Sequence, residues 1–417
     1  MTDLDHDHLH TWREEVRSWL ASVAAPAKEE VFVWGEGDPR LQIFLALSHE
    51  EEVAFLTRVR EYRRKRFEAG YGAISLPVEF GGAGLPSVYS VAFAQEERAF
   101  AVPPSSEIVS VTTGLVGAAV SVFGTPEQRE QFAQAFLSTD LLCCQLFSEP
   151  GAGSDLAGLS TKAVRDGDDW LITGQKIWSS NAQFAEYGFI LARTNPDAVK
   201  QGGITAFLVP MNAPGVEIRP IRQMSGPASF NEVWFDETRI PDSMRIGEVD
   251  AGWKVAQTTL SFERTSSGSG HRRKGGTAAD LVALAQHLGL ASDPVTRQDL
   301  ADITIRTRLH AAMVTKVARA SATGGDPGPA GSLGKLLASD NLVRLGNSAA
   351  NLLGSALVAD TGEWGEFAWG EHVLGAPGYR LAGGTDEVQR NIVAERVLGL
   401  PAEHRSDRAP FSQLAKS

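Results

Sequence analysis

Apolar residues recur every three or four positions through the first part of the chain: Trp12, Val16, Trp19, Leu20 and Val23, then Phe55, Leu56, Val59 and Tyr62, with Lys, Arg and Glu between them. That period matches the turn of an α-helix, so residues 11–70 are predicted to be largely helical with one face in a core. The run LPVEFGGAGLP (76–86) breaks the pattern and reads as a loop, after which helical spacing resumes and Pro126 suits a first helical turn. From about residue 142 the period shortens to two. TKAVRDGDDWLITGQKIW carries Asp166-Gly167-Asp168 between two strand-like runs, and ITAFLVP, GVEIRPI and NEVWFDETRIP follow at regular spacing. After GEVDAGW (247–253) the helical period returns, with TGGDPGPAGS (323–332) as a surface connection between long helices. In YRLAGGTDEVQR (379–390) an extended-looking segment runs into Gly383-Gly384. A last helix then opens at Thr385, carries Val388, Ile392, Val393 and Val397 on one side, and stops at Gly399 and Pro401. No internal repeat is visible. The order of helices, strands, helices predicts a mainly α protein with a segregated central β domain, divided as residues 1–141, 142–251 and 252–417.

Composition narrows the function classes. A length of 417 residues exceeds the roughly 250–300 over which one core keeps growing, so several packed domains are expected. Hydrophobic content of 43% and charged content of 22% are ordinary for a soluble protein, and no apolar run approaches the ~20 residues of a membrane span. The net charge of −12 argues against nucleic acid, and the short basic cluster His271-Arg272-Arg273-Lys274 reads as a solvated face or an anion contact. The start lacks the basic-then-apolar order of a secretory signal and the tail lacks a peroxisomal address, so a cytoplasmic location is expected. Cys143 and Cys144 are adjacent, unable to staple a loop or supply a four-ligand metal site, and are expected as small core residues. His6, His8 and His10 read as solvated polar residues near the terminus, and no metal site is expected.

Two segments are rich in candidate chemistry. FSEPGAGSD (147–155) sets glycines among serines at the entrance to the β domain. Glycine lets backbone N–H groups approach a polar ligand and serine adds a hydroxyl, although such a run is also an ordinary turn. It lacks the GxGxxG spacing of a dinucleotide fold and the GK[ST] end of a phosphate loop. GQKIWSSN (174–181) sets Trp178 beside Ser179 and Ser180. This suits either a core tryptophan or an indole stacked on a planar cofactor.

Taken together, FSEPGAGSD, Gly174-Gln175-Lys176-Ile177-Trp178, Asn231-Glu232-Val233-x-Phe235, Gly252-Trp253-x-Val255-Ala256 and Gly384-Thr385-x-Glu387-x-Gln389-Arg390 closely resemble the acyl-CoA dehydrogenase family over nearly the whole chain. The LPVEFGGAGLP loop matches as well. The resemblance implies an acyl-CoA dehydrogenase fold: an N-terminal helical domain, a middle β-barrel or sandwich domain and a C-terminal four-helix bundle, with FAD between the last two and a neighbouring subunit. It implies that Gln145, Phe147 and Ser148 meet the flavin ring, with Gly153 and Ser154 near the cofactor and the substrate pantetheine. Trp178 is expected against the isoalloxazine, Ser180 near its N5, and Thr385 and Glu387 at the phosphate-ribose part, where a helix N-terminus favours anionic oxygens. The implied reaction is α,β-dehydrogenation of an acyl-CoA thioester, in which a carboxylate removes the α-proton while hydride passes from the β-carbon to flavin N5.

In the commonest family pattern the base is a glutamate directly before the glycine of the GT pair, and here that position is Gly383. A minority of the family, including isovaleryl-CoA dehydrogenase, places the carboxylate on the first long helix of the C-terminal domain before an arginine. LSFERTSSG (260–268) offers Glu263-Arg264 there. Glu263 is therefore the expected base, against the alternative of an ordinary helix glutamate, and Leu260, Arg264, Gly383, Gly384 and Ser154 are expected to line the acyl-CoA site. Small residues at 382–383 and 265–270 fit either a wide pocket for a branched or bulky acyl group or close helix packing. The family's Arg-x-x-Phe-Gly and Gln-x-x-Gly-Gly-x-Gly stretches read AQHLG (285–289) and NLLGSAL (351–357) here, leaving Asn351, Gly354 and Gln298 as the expected contacts to a neighbour's FAD. Expected partners are an acyl-CoA and an electron-transferring flavoprotein, in a homotetramer or homodimer. The alternatives are one subunit of a heterotetramer, a flavin monooxygenase or oxidase on the same fold, and a silent binding scaffold.

Overall fold

The N-terminal stripe closes into a core as its period requires. In the computed structural model, α1 (Asp3–Val23) buries Trp12, Val16 and Leu20 against Ile74, Tyr89, Ala92 and Phe93, each such side chain contributing roughly 1.5–3 kcal/mol relative to exposure. Residues 3–27, 35–36, 41, 43–44, 47–266, 275–322, 329–360, 362–402 and 409–414 are described, with backbone alone for 3–7, 261–266, 318, 321–322 and 330. The helix α2 (His49–Glu68) starts at a Ser48–Glu51 capping box and buries Leu56, Val59 and Tyr62. α3 (Ser87–Glu97) follows the 76–86 loop, where Gly81 and Gly84 take positive φ. Two helical stretches with π-type windings follow, parted by extended Gly124 and the Thr125 N-cap: α4 (Glu107–Ser110), a π segment (Val111–Gly117) and α5 (Ala118–Phe123), then α6 (Pro126–Gln128), a second π segment (Arg129–Ala133) and α7 (Gln134–Ser138). Sequence periodicity carried no sign of these wide turns, since a π-bulge shifts the apolar stripe by a single position.

The central domain is an eight-stranded sheet in the order β6 (Val216–Ile221), β7 (Phe230–Pro241), β3 (Asp169–Ser180), β2 (Lys162–Asp166), β4 (Tyr187–Arg193), β5 (Ile204–Pro210), β8 (Arg245–Ile246), with β1 (Cys143–Leu146) parallel to β4. Its two faces feed separate cores. Cys143, Phe189, Leu191, Ala206 and Leu208 pack with Phe132 and Phe136 of the N-terminal helices. Their neighbours Cys144, Ile190, Ala192, Phe207 and Val209 pack with Trp170, Ile172, Val233 and Phe235. Period-two alternation thus sends the adjacent cysteines to opposite sides of one sheet, and both are buried, unpaired thiols.

The C-terminal helices are α8 (Gly252–Ser266), α9 (Ala278–His287), α10 (Pro294–Ala322), α11 (Ala330–Leu353), α12 (Ala368–Gly375), α13 (Gly378–Leu381) and α14 (Asp386–Arg396). Leu281, Leu284, Ala285, Ile303, Leu345, Ala349, Leu353 and Trp369 are buried among them, and Leu41 from the N-terminal segment joins the same core. Basic residues 271–274, Ser267–Gly270 and the connection 323–328 lie outside the described residues. Among the described residues no helix is long and apolar enough to cross a membrane. The apolar stripe of α14 is only half-covered. Val397 is exposed, while the buried positions of the helix are Asp386 and Gln389, which have polar partners nearby.

The start of α8 is fixed onto the sheet. Thr194 Oγ1 donates to Asp250 Oδ1 at 2.5 Å, and the Asp250 amide donates to Thr205 Oγ1 at 2.8 Å. A Cβ added at Gly252 would stand 2.7 Å from the Thr205 carbonyl carbon and 2.8 Å from Ile204 O, both backbone atoms. The helix and β5 approach closely because residue 252 has no side chain. Gly252→Ala is expected to destabilise the protein by about 1–3 kcal/mol through this clash, read as a lower urea midpoint; an unchanged midpoint would refute the close-packing account.

Candidate active site

β1 carries half-buried Gln145 and leads into Phe147, 5% exposed and 5.9 Å from the Phe189 ring. After Ser148 the chain reverses, the Glu149 and Ala152 amides each donating to the other's carbonyl at 3.0 Å. The Glu149 carboxylate turns inward. It accepts from the Ser160 amide at 2.7 Å, the Ser160 hydroxyl at 3.0 Å, the Thr161 amide at 2.9 Å and Lys176 Nζ at 2.7 Å. Lys176 is wholly buried and also donates to Phe147 O at 3.1 Å. Burial alone would raise the Glu149 pKa, but the ammonium and the 160–161 donors outweigh it and hold the carboxyl below its ordinary value. Burial lowers the Lys176 pKa, and the attraction of the Glu149 carboxylate opposes that shift. The Ile177 amide donates to Ser148 O at 2.9 Å. Phe147, Ser148 and Glu149, at the start of the FSEPGAGSD loop, are thereby tied to strand β3.

Beyond this pair the loop opens. Gly153, Ser154 and Asp155 are exposed, and a Cβ added at Gly151 or Gly153 would meet no atom within 4 Å. Crowding within the chain does not require these glycines, which leave bare backbone facing outward.

Trp178 is turned out beside that loop by a bulge. Lys176 pairs with Val233 and Ser179 with Asn231, three steps on β3 against two on β7. The bulge sets Trp178 at φ 60°, a region a bulky residue rarely enters. The indole is 56% exposed although it lies in a strand. Asn231 Nδ2 holds the bulge by donating to Ser179 O at 3.0 Å and Gln183 Oε1 at 2.6 Å. Ser180 is half-buried, and Ser179 Oγ is buried with no hydrogen-bond partner among the described residues.

The glycine turn departs from its expected form. Residues 378–381 make a helical turn, α13, so the extended reading of Tyr379–Leu381 is corrected. Pro377 sits at the N-cap of this turn, and local alternation carried no trace of it. Ala382 then extends the chain, and Gly383 (φ 66°) and Gly384 (φ 89°) turn through left-handed backbone. Gln389 Nε2 donates to Gly383 O at 2.8 Å, and the Val388 amide donates to the Thr385 hydroxyl at 3.3 Å, capping α14. Asp386 is buried. Desolvation would raise its pKa, yet Arg380, Lys335 and Ser339 hold it below the usual range. Glu387 is exposed at the same helix start.

Leu260 of α8 packs against the core that contains Phe147, Leu208 and Val255. Glu263 follows by three residues, so the two positions share a helix face. The side chains of Glu263 and Arg264 lie outside the described residues. A line of aromatic rings joins the remaining parts: Trp178 to Phe230 at 5.9 Å, Phe230 to Phe44 at 5.7 Å, and Phe44 stacked on Tyr379 at 5.5 Å. Gln145, Phe147, Ser148, Gly153, Ser154, Trp178 and Ser180 thus share one neighbourhood. The rings connect it to the turn bearing Gly383, Gly384, Thr385 and Glu387. Gln298 is exposed on α10, Asn351 is exposed in the last turn of α11, and Gly354 (φ 54°) ends that helix. Ala285 is fully buried on α9, where an arginine would bury its charge.

The sequence reading missed Glu149, Lys176, Phe44, Phe230 and Tyr379. Lys176 had a usable signal. Trp170, Ile172 and Lys176 fall on alternate, inward positions of β3, and a lysine there demands a buried acid.

Comparison with known proteins bears on the whole chain. The acyl-CoA dehydrogenase N-terminal, middle and C-terminal domains match residues 6–140, 144–238 and 250–398. The acyl-CoA dehydrogenase IpdE1 of Mycobacterium tuberculosis is 37% identical over 399 residues, 95% of this chain and 98% of that protein. A solved structure described as the Tcur3481-Tcur3483 steroid ACAD superposes with a TM-score of 0.72 at 27% identity, covering 95% of this chain and 98% of the other. The ChsE4-ChsE5 complex of Mycobacterium tuberculosis superposes with a TM-score of 0.69 at 26% identity, covering 95% and 98%. On all three domains and on a full-length relative, the chain belongs to the acyl-CoA dehydrogenase family, whose members are flavin-dependent oxidoreductases.

Proposed function

We propose that this chain binds FAD and catalyses α,β-dehydrogenation of an acyl-CoA with a bulky acyl group, using Glu263 as the α-proton base. The fit to the cofactor rests on the exposed Trp178 indole, the open backbone at Gly151 and Gly153, and the capped start of α14. Phe147, Ser148, Trp178 and Ser180 would hold the flavin ring, and Thr385 and Glu387 its phosphate-ribose part. When bound, FAD supplies the acceptor for the β-hydride.

One observation carries the assignment of the base. Gly383, at the position of the family's usual glutamate, sits at φ 66°, where an L side chain is strained. The acid therefore has to come from elsewhere, and Glu263 lies on a helix whose origin is anchored to β5 and whose Leu260 packs into the Phe147 core. From that helix the carboxylate takes the α-proton. The chain's other tasks are to orient the thioester and exclude water. With no side chain at Gly383 there is less bulk where the acyl chain would start, and the steroid enzyme among the structural relatives supports a fused-ring acyl group.

A second reading has its own support. A structural relative is a two-component complex, Ala285 is closed into the core, and Ile305, Leu309, Val397, Leu398 and Leu400 are exposed. This favours assembly with another subunit, either a second copy or a distinct chain completing the FAD sites. An electron-transferring flavoprotein would then reoxidise the enzyme, in the cytoplasm.

Three outcomes are expected. Glu263→Gln slows anaerobic bleaching of the flavin by acyl-CoA by about 10²–10⁴-fold; undiminished bleaching would remove Glu263 as base. Across a panel of acyl-CoAs in the same assay, kcat/KM is highest for fused-ring or branched groups, and a sharp preference for short linear chains would refute the wide pocket. The protein expressed alone shows fewer than one FAD per chain if it depends on a distinct partner, whereas one FAD per chain in a homo-oligomer, by native mass measurement, refutes that dependence.

A further inference from the structure

The match to the family's C-terminal domain ends at residue 398, yet residues further along return to the β domain. Pro410 bridges Val199, the Phe411 amide donates to Ala198 O at 2.9 Å, and the Ser412 amide donates to Pro196 O at 2.8 Å. The Ser412 hydroxyl adds a bond to Asp197 Oδ1 at 3.2 Å. All four contacts fall on the turn between β4 and β5. They deliver the Phe411 ring over the Arg193 guanidinium, 4.0 Å from its central carbon.

Arg193 is 4% exposed and has an unusual set of partners. One terminal nitrogen donates to Lys200 O at 2.6 Å. The other donates to Ala157 O at 2.7 Å and Leu159 O at 3.2 Å. Its Nε has no hydrogen-bond partner among the described residues. Burial lowers the guanidinium pKa to about 10, against the more distant pull of Glu149 and Asp250. With carbonyls as its hydrogen-bond partners among the described residues, this buried cation gains from the negative face of an aromatic ring, and the ring also keeps water from competing for the three carbonyls. Those carbonyls matter because of where they lie. Ala157 and Leu159 directly follow the FSEPGAGSD loop. Lys200, gripped through its carbonyl, donates through Nζ to both oxygens of Asp155 at 3.0 and 2.9 Å. The exit of the loop is therefore held by a cation that the tail covers.

We infer that Phe411 is a positioning residue: by capping Arg193 it fixes the backbone of residues 155–159 and so the open Gly153–Ser154 edge at which acyl-CoA is bound. The consequence for ligand binding rests on the function proposed above, whereas the clamp itself is independent of it.

Amide hydrogen exchange and steady-state kinetics on the full chain separate the two. Phe411→Ala is expected to speed exchange at residues 153–160 by about three- to thirty-fold, the range of a lost cation–π contact. KM for acyl-CoA rises by a similar factor while kcat stays within about twofold. Phe411→Tyr and Phe411→Trp keep the ring face and behave as the unmodified protein. Phe411→Leu keeps apolar bulk alone and behaves as Phe411→Ala. Unchanged exchange at 153–160 in Phe411→Ala, or a leucine variant that matches tyrosine, overturns the clamp. Faster exchange with an unchanged KM upholds the clamp and instead overturns the assignment of the loop to acyl-CoA.

Discussion

The site is organised around one buried ion pair. Glu149 and Lys176 lie on different segments, the first on a loop leaving β1 and the second on an inward position of β3, and neither has an alternative in water. A buried carboxylate without its ammonium, or the reverse, costs several kcal/mol, so the two segments cannot separate while the domain is folded. Everything nearby inherits this constraint. The Ser148 carbonyl meets the Ile177 amide, the bulge begins at the next residue, and Trp178 is pushed outward rather than into the sheet. The pair spends stability on a fixed relation between an exposed ring and an exposed glycine loop, which is what a ligand with a rigid planar part requires.

Much of the fold was legible because burial follows local period. Trp12, Val16 and Leu20 at helical spacing, and the paired alternation of β4 and β5, are consequences of one-sided and two-sided burial that any reader of the chain can recover. The central β domain between helical ones was legible for the same reason. What escaped were the π windings within 107–138, the helical turn at 378–381, and the polar burial of Asp386 and Gln389 on a helix whose apolar residues stay half-covered. For Asp386 a distant segment decides, because Lys335 and Ser339 of α11 supply partners for its buried carboxylate.

The candidate site divides similarly. Phe147, Ser148 and Trp178 were reachable through motif resemblance, and the structure sets them on adjoining backbone. Glu149 and Lys176 stood inside the same quoted motifs and drew no role, since a pairing across 27 residues is visible only once the strand's inward face is known. The rings of Phe44, Phe230 and Tyr379 come from three separate parts of the chain and share no motif at all.

The left-handed backbone at Gly383 bears on how such enzymes diverge. A glutamate arising there by single mutation would take left-handed backbone at a cost of roughly 1–2 kcal/mol, a conformation that Glu237 already holds at φ 46°. Residue 383 therefore carries a conformational cost for every side chain but that of glycine. The two glycines thus make this turn a place where a change of shape and a change of side chain come together.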